Sequence, residues 1–547
     1  MNNFLLGAFS PRPNENFNFI DELGGNSSEI FSQESGCEVS YKLFYHRRSN
    51  QKIMTKNING LFILCWGEGL LIDKVYEFYI SGGIKKIKAI PGLCSIVIID
   101  VKNNKIVLLN DSFGTMPIYY HFHDEVIVFS SRLKGNLLYP NLKVELNQLV
   151  LFELFYSGVV CPPDTLIKDV YVLSTGEVIE FNGSLVQKTI WATPENKPEA
   201  PDTKNMLSLL LTSMERCIEN SDEIGVMCSG GLDSSLLVAL LKQVTSKKIH
   251  LYTLITHENK VETSAVEYLS KTFNVKTHYF NAKSSHFLDH VQESIRRGES
   301  EAVGALSLNI AVETAFAKFI HSSLMLTGDA MGPNSSLLKQ SPEFYAHNYG
   351  ILDRASTRLL LDNKPHSEMH YIEKTKTIIT AKNKHLSFKK FRLDVRASLI
   401  GALNGKIRTL NSDQAYRFPF VDSQFMDYME SLNYYLPNKA DYRNLLKQMI
   451  LEHQLLPEKI LNKPKAWMPG VMSQLDTEGV LDELVYQVSA TNSHCSSLFN
   501  IETLSLLFST IGQKQKYKLI MALYYLELFY EHFVKQRHSL KNELSCG

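Results

Sequence analysis

The sequence predicts two domains of different class, an α+β domain rich in strands over residues 1–193 and an α/β domain over residues 203–547. Three observations predict this division. Short apolar runs alternate with turn residues in the first part, a polar segment with three prolines follows, and strand-like runs alternate with helical segments beyond it. The alternation of strands and helices indicates a doubly wound parallel sheet, and the last third of the chain is mostly helical.

The composition excludes several classes of protein. The 547 residues are too many for one hydrophobic core, and 44% of them are apolar against 21% charged. Lys and Arg (57) balance Asp and Glu (57), which gives no overall attraction to nucleic acid or to an anionic membrane. The eight cysteines form no Cys-x-x-Cys pair, and the start of the chain lacks the pattern of a signal peptide. We therefore expect a cytoplasmic protein that binds neither nucleic acid nor membrane.

The apolar runs of the first domain have the length of strands. They include Ser95 to Ile99, Lys105 to Leu109 and Glu125 to Phe129. Asn103-Asn104 separates the first two runs and favours a hairpin turn. Residues 194–202, Pro-Glu-Asn-Lys-Pro-Glu-Ala-Pro-Asp, then predict a linker between the domains.

The segment from 224 to 241 carries the most chemical information. Its apolar beginning, 224–228, predicts a buried parallel strand, and its apolar end, 236–241, predicts the buried face of a helix. Between them lies Ser229-Gly230-Gly231-Leu232-Asp233-Ser234-Ser235. Two glycines at such a turn let backbone N–H groups approach an anion, and the helix start adds unpaired donors and a positive dipole end. The loop therefore predicts a phosphate site, with Asp233 placed to hold Mg²⁺.

This loop resembles the PP-loop of the ATP pyrophosphatases, which release pyrophosphate and form an adenylate. It lacks the Gly-Lys-Ser/Thr ending of a Walker P-loop. The resemblance implies an α/β PP-loop ATP pyrophosphatase fold for the second domain, with a helical C-terminal part. The alternative is a Ser/Gly turn that caps the helix and binds no ligand.

Further landmarks of the second domain resemble the synthetase domain of asparagine synthetases and their relatives, which include β-lactam synthetases and lasso peptide cyclases. They follow the order of that family: the strand Leu251–Ile255, the acidic helix start Glu262–Ala265, the strand end Leu324–Asp329, the segment Arg417–Asp422, and Pro457–Ile460 with the basic cluster Lys463–Lys465. The resemblance therefore covers the second domain from the loop to its basic cluster.

The first domain also resembles this family. Asn110–Tyr120 is similar to the family's Arg-Asp-x-x-Gly-x-x-Pro-Leu-Tyr-Tyr, and Ser130–Lys134 follows as expected. The resemblance implies an Ntn-hydrolase-like glutaminase domain. A glutamine-dependent member needs a cysteine directly after the initiator methionine, where this chain has Asn2. We therefore expect a degenerate glutaminase, so that the substrate itself supplies the amine.

Among the relatives that use a substrate amine, the chain is most similar to the lasso peptide (microcin-type) macrolactam cyclases. Its length, its degenerate first half and the helical tail around Leu519–Phe533 favour this subclass, and Ala415 stands where β-lactam synthetases carry a catalytic glutamate. The resemblance implies that a carboxylate of a precursor peptide is adenylated and that the amino terminus of the same peptide displaces AMP. It implies ATP and Mg²⁺ as cofactors, and the precursor peptide and a leader peptidase as partners.

The resemblance also implies a set of site residues. The nucleotide contacts are Cys228, Ser229, Gly230, Gly231, Asp233, Ser234, Leu254, Thr327 and Gly328; the metal ligands are Asp233 and Asp329; the catalytic residues are Lys465 and Asp329. Lys465 resembles the lysine that stabilises pyrophosphate or the acyl-transfer transition state. The structural alternatives are a capping role for either aspartate and a solvated side chain for Lys465.

Two alternative functions stay open at this point. One is an amide ligase that joins separate molecules, such as an asparagine synthetase that uses free ammonia. The other is a nucleotide-binding scaffold without activity, because Gly332 stands where the family carries a further Mg²⁺-binding aspartate.

Overall fold

The computed structural model describes most of the chain between residues 4 and 540. The described residues are 4–13, 15–21, 23, 28–32, 39–46, 53–68, 72–87, 93–111, 114, 116–184, 186–190, 199–218, 221–255, 260–281, 287–299, 316, 318–329, 350–362, 365–380, 415–432, 439–461, 480–490 and 492–540.

Strands dominate the first domain. They are β1 (Phe4–Ser10), β2 (Ser28–Ser32), β3 (Ser40–His46), β4 (Ile53–Ile58), β5 (Leu61–Glu68), β6 (Leu93–Asp100), β7 (Lys105–Leu109), β8 (Tyr119–His123), β9 (Val126–Ser130), β10 (Tyr171–Val172), β11 (Glu177–Phe181) and β12 (Val186–Ile190). Its helices are α1 (Asn18–Asp21), α2 (Ile72–Gly82), α3 (Ile84–Ile87), α4 (Leu133–Asn136) and α5 (Leu151–Ser157), with a 3₁₀ turn at Gln148–Val150.

The second domain alternates strands and helices and then becomes helical. Its strands are β13 (Glu223–Met227), β14 (Lys248–Ile255), β15 (Lys276–Asn281), β16 (Leu324–Thr327) and β17 (Ala415–Arg417). Its helices are α6 (Thr203–Ile218), α7 (Leu232–Val244), α8 (Lys260–Phe273), α9 (Phe287–Gly298), α10 (Arg354–Leu360), α11 (Pro365–Thr380), α12 (Ser423–Ser431), α13 (Lys439–Glu452), α14 (Glu458–Leu461), α15 (Val480–Ser489), α16 (His494–Leu498), α17 (Ile501–Thr510) and α18 (Gln513–Phe529).

The first domain is a sandwich of two antiparallel sheets. Their strand orders are β10-β8-β9-β1-β3-β2 and β12-β11-β7-β6-β5-β4. Alternate residues of β1 explain the packing: Leu5 and Phe9 belong to the core between the sheets, whereas Phe4 and Leu6 belong to the core on the outer face. The predicted hairpin is confirmed, since β6 and β7 pair antiparallel around a turn in which Asn104 has a positive φ of 50°.

The second domain contains the predicted parallel sheet, with the strand order β15-β14-β13-β16-β17. Helices α7 and α8 cover one face, where Ile224 and Val226 of β13 pack with the leucines of α7. On the opposite face, Tyr252, Met325 and Tyr416 form a smaller apolar cluster. Strand β13 lies in the middle and is flanked by parallel partners on both sides, so its short apolar sequence is buried.

A single hydrophobic core joins the two domains. It combines the outer face of the first sheet with α5, α9 and the helical tail. Residues 519–526 of α18 are buried on every side, so this tail is a core helix and not an amphipathic surface helix. Among the helices of the described residues, none combines the length and apolarity that crossing a membrane requires.

The predicted linker falls between the last strand of the first domain and the first helix of the second. β12 ends at Ile190, and α6 begins at Thr203. The Asp202 carboxylate accepts hydrogen bonds from the backbone N–H groups of Lys204 and Asn205, which caps α6. The division into 1–193, 194–202 and 203–547 remains a prediction, and residues 191–198 lie outside the described residues.

Arg537 fastens the end of the helical tail to the first domain. Its Nε donates to the Leu137 carbonyl oxygen at 2.6 Å and its Nη1 to that of Leu142 at 2.9 Å, while Nη2 donates to Tyr139. Burial lowers the pKa of this guanidinium. Three carbonyl groups of the first domain therefore accept hydrogen bonds from one side chain.

We expect Arg537→Met to lower the free energy of unfolding by about 2 kcal/mol, because charge-assisted bonds are lost and the carbonyl groups keep their desolvation cost. Arg216→Met is the matched control, since Arg216 forms an exposed pair with Asp422 at 2.5 Å and is expected to contribute less than about 1 kcal/mol. Urea unfolding of both variants measures the difference. Equal midpoints would contradict an anchoring role for Arg537.

Candidate active site

The predicted phosphate loop lies at the carboxyl edge of the parallel sheet. Strand β13 ends at Met227 and α7 begins at Leu232, so residues 228–231 form the turn between them. The chain proceeds from β13 to β14 and β15 on one side of the sheet, and β16 pairs on the other side of β13. The loop therefore lies at the point where the strand order reverses, which is the usual ligand position in open α/β sheets.

The two glycines of the loop have different backbone conformations. Gly230 has a positive φ of 70°, a left-handed conformation that side chains with a Cβ adopt at a cost. Gly231 is extended and occupies the N-cap position of α7, where no side chain caps the helix. The positive dipole end of α7 therefore faces this loop without a side-chain cap from Gly231.

Serine hydroxyls line this turn. Ser229 Oγ accepts a hydrogen bond from the Gly231 N–H at 3.3 Å and lies 3.4 Å from Ser234 Oγ. Ser234 Oγ also donates to the Gly231 carbonyl oxygen at 3.2 Å. The two hydroxyls thus hold the loop in shape and stand beside the helix start, where each has capacity for a further polar contact.

Strand β14 holds the beginning of the loop through hydrogen bonds. The N–H of Cys228 donates to the Tyr252 carbonyl oxygen at 2.9 Å, and the Cys228 carbonyl oxygen accepts from Thr253 Oγ1 at 2.9 Å. The Cys228 side chain is buried in the core beneath α7. Sequence reasoning missed Tyr252 and Thr253 as supports of the loop; the polar threonine within an apolar strand was the signal available for Thr253.

The end of β16 meets the start of α7. A Cβ at Gly328 would lie 3.0 Å from the Ser234 backbone nitrogen and 3.2 Å from the Asp233 carbonyl carbon, so a side chain would force the two backbones apart. Thr327, the last residue of β16, is buried, and its hydroxyl has no hydrogen-bond partner among the described residues. Asp329 follows Gly328 in the chain. Asp233 and Asp329 therefore both lie at or next to one close backbone contact, and both are half-buried.

The other predicted residues are distributed as follows. Leu254, near the end of β14, is half-buried and packs against the core shared by the domains. Asp422 caps α12 through hydrogen bonds from the N–H groups of Gln424 and Phe425, a structural role. Lys465, Gly332 and Asn2 lie outside the described residues.

The arrangement suits a divalent cation bound together with a phosphate group. In the part of the chain that the structure describes, no cluster of three or more His, Cys, Asp or Glu side chains could hold a metal. Asp233 and Asp329 can supply two carboxylate ligands. Mg²⁺ commonly binds in this way, with one or two carboxylates and the remaining positions taken by phosphate oxygens and water. The residues present therefore fit Mg²⁺ carried in with a nucleotide.

Two family models match the chain. Residues 73–192 match the glutamine amidotransferase domain, and residues 205–330 match asparagine synthase. The second match contains the phosphate loop and the end of β16. The chain is similar to the asparagine synthetases over these residues.

Individual relatives agree with this assignment. A putative glutamine-hydrolyzing asparagine synthetase of Methanocaldococcus jannaschii is 25% identical over 225 residues, which cover 39% of this chain and 44% of that protein. A probable asparagine synthetase of Acanthamoeba polyphaga mimivirus is 23% identical over 496 residues, or 87% of this chain and 76% of that protein. The chain thus spans less than half of the first relative and about three quarters of the second.

Similarity to solved structures is weak. A glutamine phosphoribosylpyrophosphate amidotransferase from Bacillus subtilis, complexed with ADP and GMP, is 10% identical and covers 50% of this chain and 90% of its own, with a TM-score of 0.23. A score this low carries no information about the site.

We expect Gly328→Ala to weaken the binding of Mg·ATP roughly tenfold, because overpacking of this kind costs about 1–3 kcal/mol and displaces the start of α7. Gly512→Ala is the matched control, since a Cβ at Gly512, the N-cap residue of α18, meets no atom within 4 Å. Isothermal titration with a non-hydrolysable ATP analogue measures both. Unchanged affinity in Gly328→Ala, with the fold intact, would show that nucleotide does not bind at this contact.

Proposed function

We propose that this protein is an ATP-dependent, AMP-forming amide ligase, and that it closes a macrolactam ring in a lasso-type precursor peptide. The observation that carries the first part is the uncapped start of α7 behind Gly230, flanked by the carboxylates of Asp233 and Asp329. The asparagine synthase match over residues 205–330 supports the same chemistry. Asn2 and the resemblance to the macrolactam cyclases support the second part.

In the first step, a substrate carboxylate oxygen attacks the α-phosphorus of ATP, and the bond to the bridging oxygen of pyrophosphate breaks. The backbone N–H groups of the loop and the hydroxyls of Ser229 and Ser234 hold the leaving pyrophosphate. Mg²⁺, where bound to Asp233 and Asp329, supplies positive charge beside the phosphate oxygens. Fixed donors aimed at developing negative charge are usually the largest source of acceleration in such sites.

In the second step, the substrate amine attacks the acyl carbon of the adenylate, and the bond from this carbon to the AMP oxygen breaks. The amine loses one proton in forming the amide, and Asp329 is the proposed acceptor. Lys465 is proposed to stabilise the negative charge of the departing groups. When amine and adenylate belong to one folded peptide, their proximity lowers the barrier further, by up to about 7–11 kcal/mol for ideal alignment.

The first domain is proposed to be a degenerate glutaminase of the Ntn-hydrolase-like class that serves as a scaffold. The glutamine amidotransferase match over residues 73–192 supports this origin, and Asn2 stands where the family pattern has the cysteine that releases ammonia. The precursor peptide and a leader peptidase are the proposed partners, and the cytoplasm is the proposed location.

Two other functions have specific support. The relatives described above are named as glutamine-hydrolyzing asparagine synthetases, which favours a ligase that joins an amine or ammonia to a separate carboxylate. Gly332, in place of an aspartate of the family pattern, favours a nucleotide-binding scaffold without turnover.

The products distinguish these functions. With Mg·ATP and the leader-free form of a short peptide encoded beside its gene, the proposed cyclase should release AMP and pyrophosphate in equal amounts, and the peptide should lose the mass of one water. Turnover with aspartate and ammonia alone would favour the intermolecular ligase instead. Binding of ATP without AMP formation under either condition would favour the scaffold.

We expect Asp233→Asn to reduce pyrophosphate release at least about 100-fold, because one charged ligand beside the phosphates is lost while the size of the side chain is kept. Asp482→Asn, on the first turn of α15, is the control for a helix-start aspartate outside the site. Steady-state assays over a range of Mg²⁺ concentrations measure both. An unimpaired Asp233→Asn variant would exclude the proposed metal ligand.

We expect Lys465→Met to reduce kcat roughly 100-fold and to change the KM for ATP little, since an interaction made mainly in the transition state lowers kcat and kcat/KM together. Lys463→Met, two residues away, should retain activity. If Lys465→Met instead raises the KM for ATP and leaves kcat unchanged, this lysine contributes to binding of the nucleotide in the ground state.

A further inference from the structure

The connection between β16 and β17 leaves the nucleotide-binding sheet and docks on the first domain. The backbone N–H groups of Ile351 and Leu352 both donate to the Phe155 carbonyl oxygen, at 3.0 and 3.1 Å. Phe155 lies near the end of α5 in the first domain. The side chains of Ile351 and Leu352 are also buried in the shared core. Backbone hydrogen bonds and apolar contacts therefore hold this part of the connection together.

Helix α11 continues this docking. It packs against α5 and against the 3₁₀ turn at Gln148–Val150. The ring of Tyr371 lies 5.6 Å from the rings of both Phe152 and Tyr156. Helix α11 thus belongs to the second domain by sequence, but it rests on the first.

Four charged groups meet beneath α11. Lys374 Nζ lies 2.8 Å from Glu153 Oε2 and 3.1 Å from Asp164 Oδ2, and it donates a hydrogen bond to the Cys161 carbonyl oxygen. His370 Nε2 lies 2.9 Å from Asp164 Oδ2. Glu153 is 2% exposed, and the side chain of Lys374 is 14% exposed. The cluster joins two residues of α11 to three of the first domain.

The balance of charge in this cluster depends on His370. Glu153 and Asp164 carry two negative charges and Lys374 carries one positive charge, so the four groups are neutral when His370 is protonated. Loss of that proton leaves an unbalanced carboxylate in a largely buried place, which is costly. On α11 itself, the Glu368 carboxylate is already paired with Arg354 and Arg358 of α10 and does not balance the cluster.

The pKa shifts of His370, Asp164 and Lys374 all favour the charged form of each group. The hydrogen bond to Asp164 raises the pKa of His370 above its ordinary 6.5, against the effect of burial. Burial opposes ionisation of Asp164, yet the hydrogen bond from His370 and the charge of Lys374 lower its pKa to about 2. Burial also opposes the charge of Lys374, and the carboxylates of Glu153 and Asp164 more than offset it and raise its pKa.

We propose that this cluster is a proton-dependent latch that holds α11 on the first domain. The latch is closed while His370 is protonated and loosens when it loses its proton. The docking is independent of any enzymatic activity and does not rest on the proposed function.

The sign of the pH dependence follows from linkage. Docking raises the pKa of His370 above its ordinary 6.5. His370 therefore stabilises the docked state fully at a pH below 6.5, and this stabilisation is lost as the pH rises through the raised pKa. The Asp164 contribution changes only under acid conditions, since it is present above 3.8 and is lost as the pH falls towards about 2. Between pH 6 and 9, His370 therefore dominates the titration of this cluster.

Hydrogen–deuterium exchange of the full chain tests the latch. We expect the protection factors of α11, corrected for intrinsic exchange at each pH, to fall between pH 6 and 9. The fall should be tenfold for each unit by which docking raises the pKa of His370. His370→Gln should show at pH 6 the low protection that the wild type reaches at pH 9, with no further change. His366→Gln is the matched control, because His366 is an exposed histidine of the same helix.

Three results would overturn the proposal. They are constant protection of α11 in the wild type over this range, the same pH dependence in His370→Gln, and loss of the dependence in His366→Gln. Lys374→Met provides a second check, since it should loosen α11 at every pH. These readouts do not require turnover, so a protein without ligase activity would still give a clear answer.

Discussion

The structure depends on one hydrophobic core that belongs to both domains. Strand β1 is buried on both faces, with Leu5 and Phe9 between the sheets and Phe4 and Leu6 against helices of the shared core. Residues 519–526 of α18 are buried on all sides in the same core. Because part of the apolar surface of each domain is removed from water by the other, the two domains stabilise each other.

This shared core ties the amidotransferase-like domain physically to the second domain. The domain supplies the carbonyl oxygens that bind Arg537 and the surface on which α11 rests. It also supplies buried charge partners, such as Arg132, whose Nη2 lies 2.5 Å from Glu299 at the end of α9. A buried carboxylate without its cation would be strongly destabilised, so these contacts make separation of the domains unfavourable.

The candidate site is formed by backbone at least as much as by side chains. Cys228 is held through its N–H and carbonyl groups, Gly230 by its left-handed conformation, and Gly328 by its contact with the start of α7. Backbone donors are fixed before a ligand arrives, so they stabilise developing charge without reorganisation. A loop with few charged residues is therefore compatible with the proposed phosphate site, and two carboxylates are compatible with a cation that brings phosphate and water ligands.

The sequence by itself determined the local elements of this protein. The strand, loop and helix around Gly230, the hairpin at Asn104 and the alternation of strands and helices depend on apolar periodicity and turn residues within a few positions, and the structure confirms each. The prediction of a phosphate site also came from consecutive residues and stays a prediction. The similarity to the asparagine synthetases was indicated by the order of such local motifs.

Only the tertiary structure decided which distant residues meet. The contact of Gly328 with Asp233 and Ser234, the bond from Thr253 to Cys228, and the pairing of Arg216 with Asp422, 206 residues away, depend on strand order and packing. The docking of α11 on the first domain is a further case, since its sequence indicates a helix but not its partner. Local propensity acts over a few residues, whereas a long-range contact forms only when many elements pack at once, and that is why these features could not be predicted from the sequence.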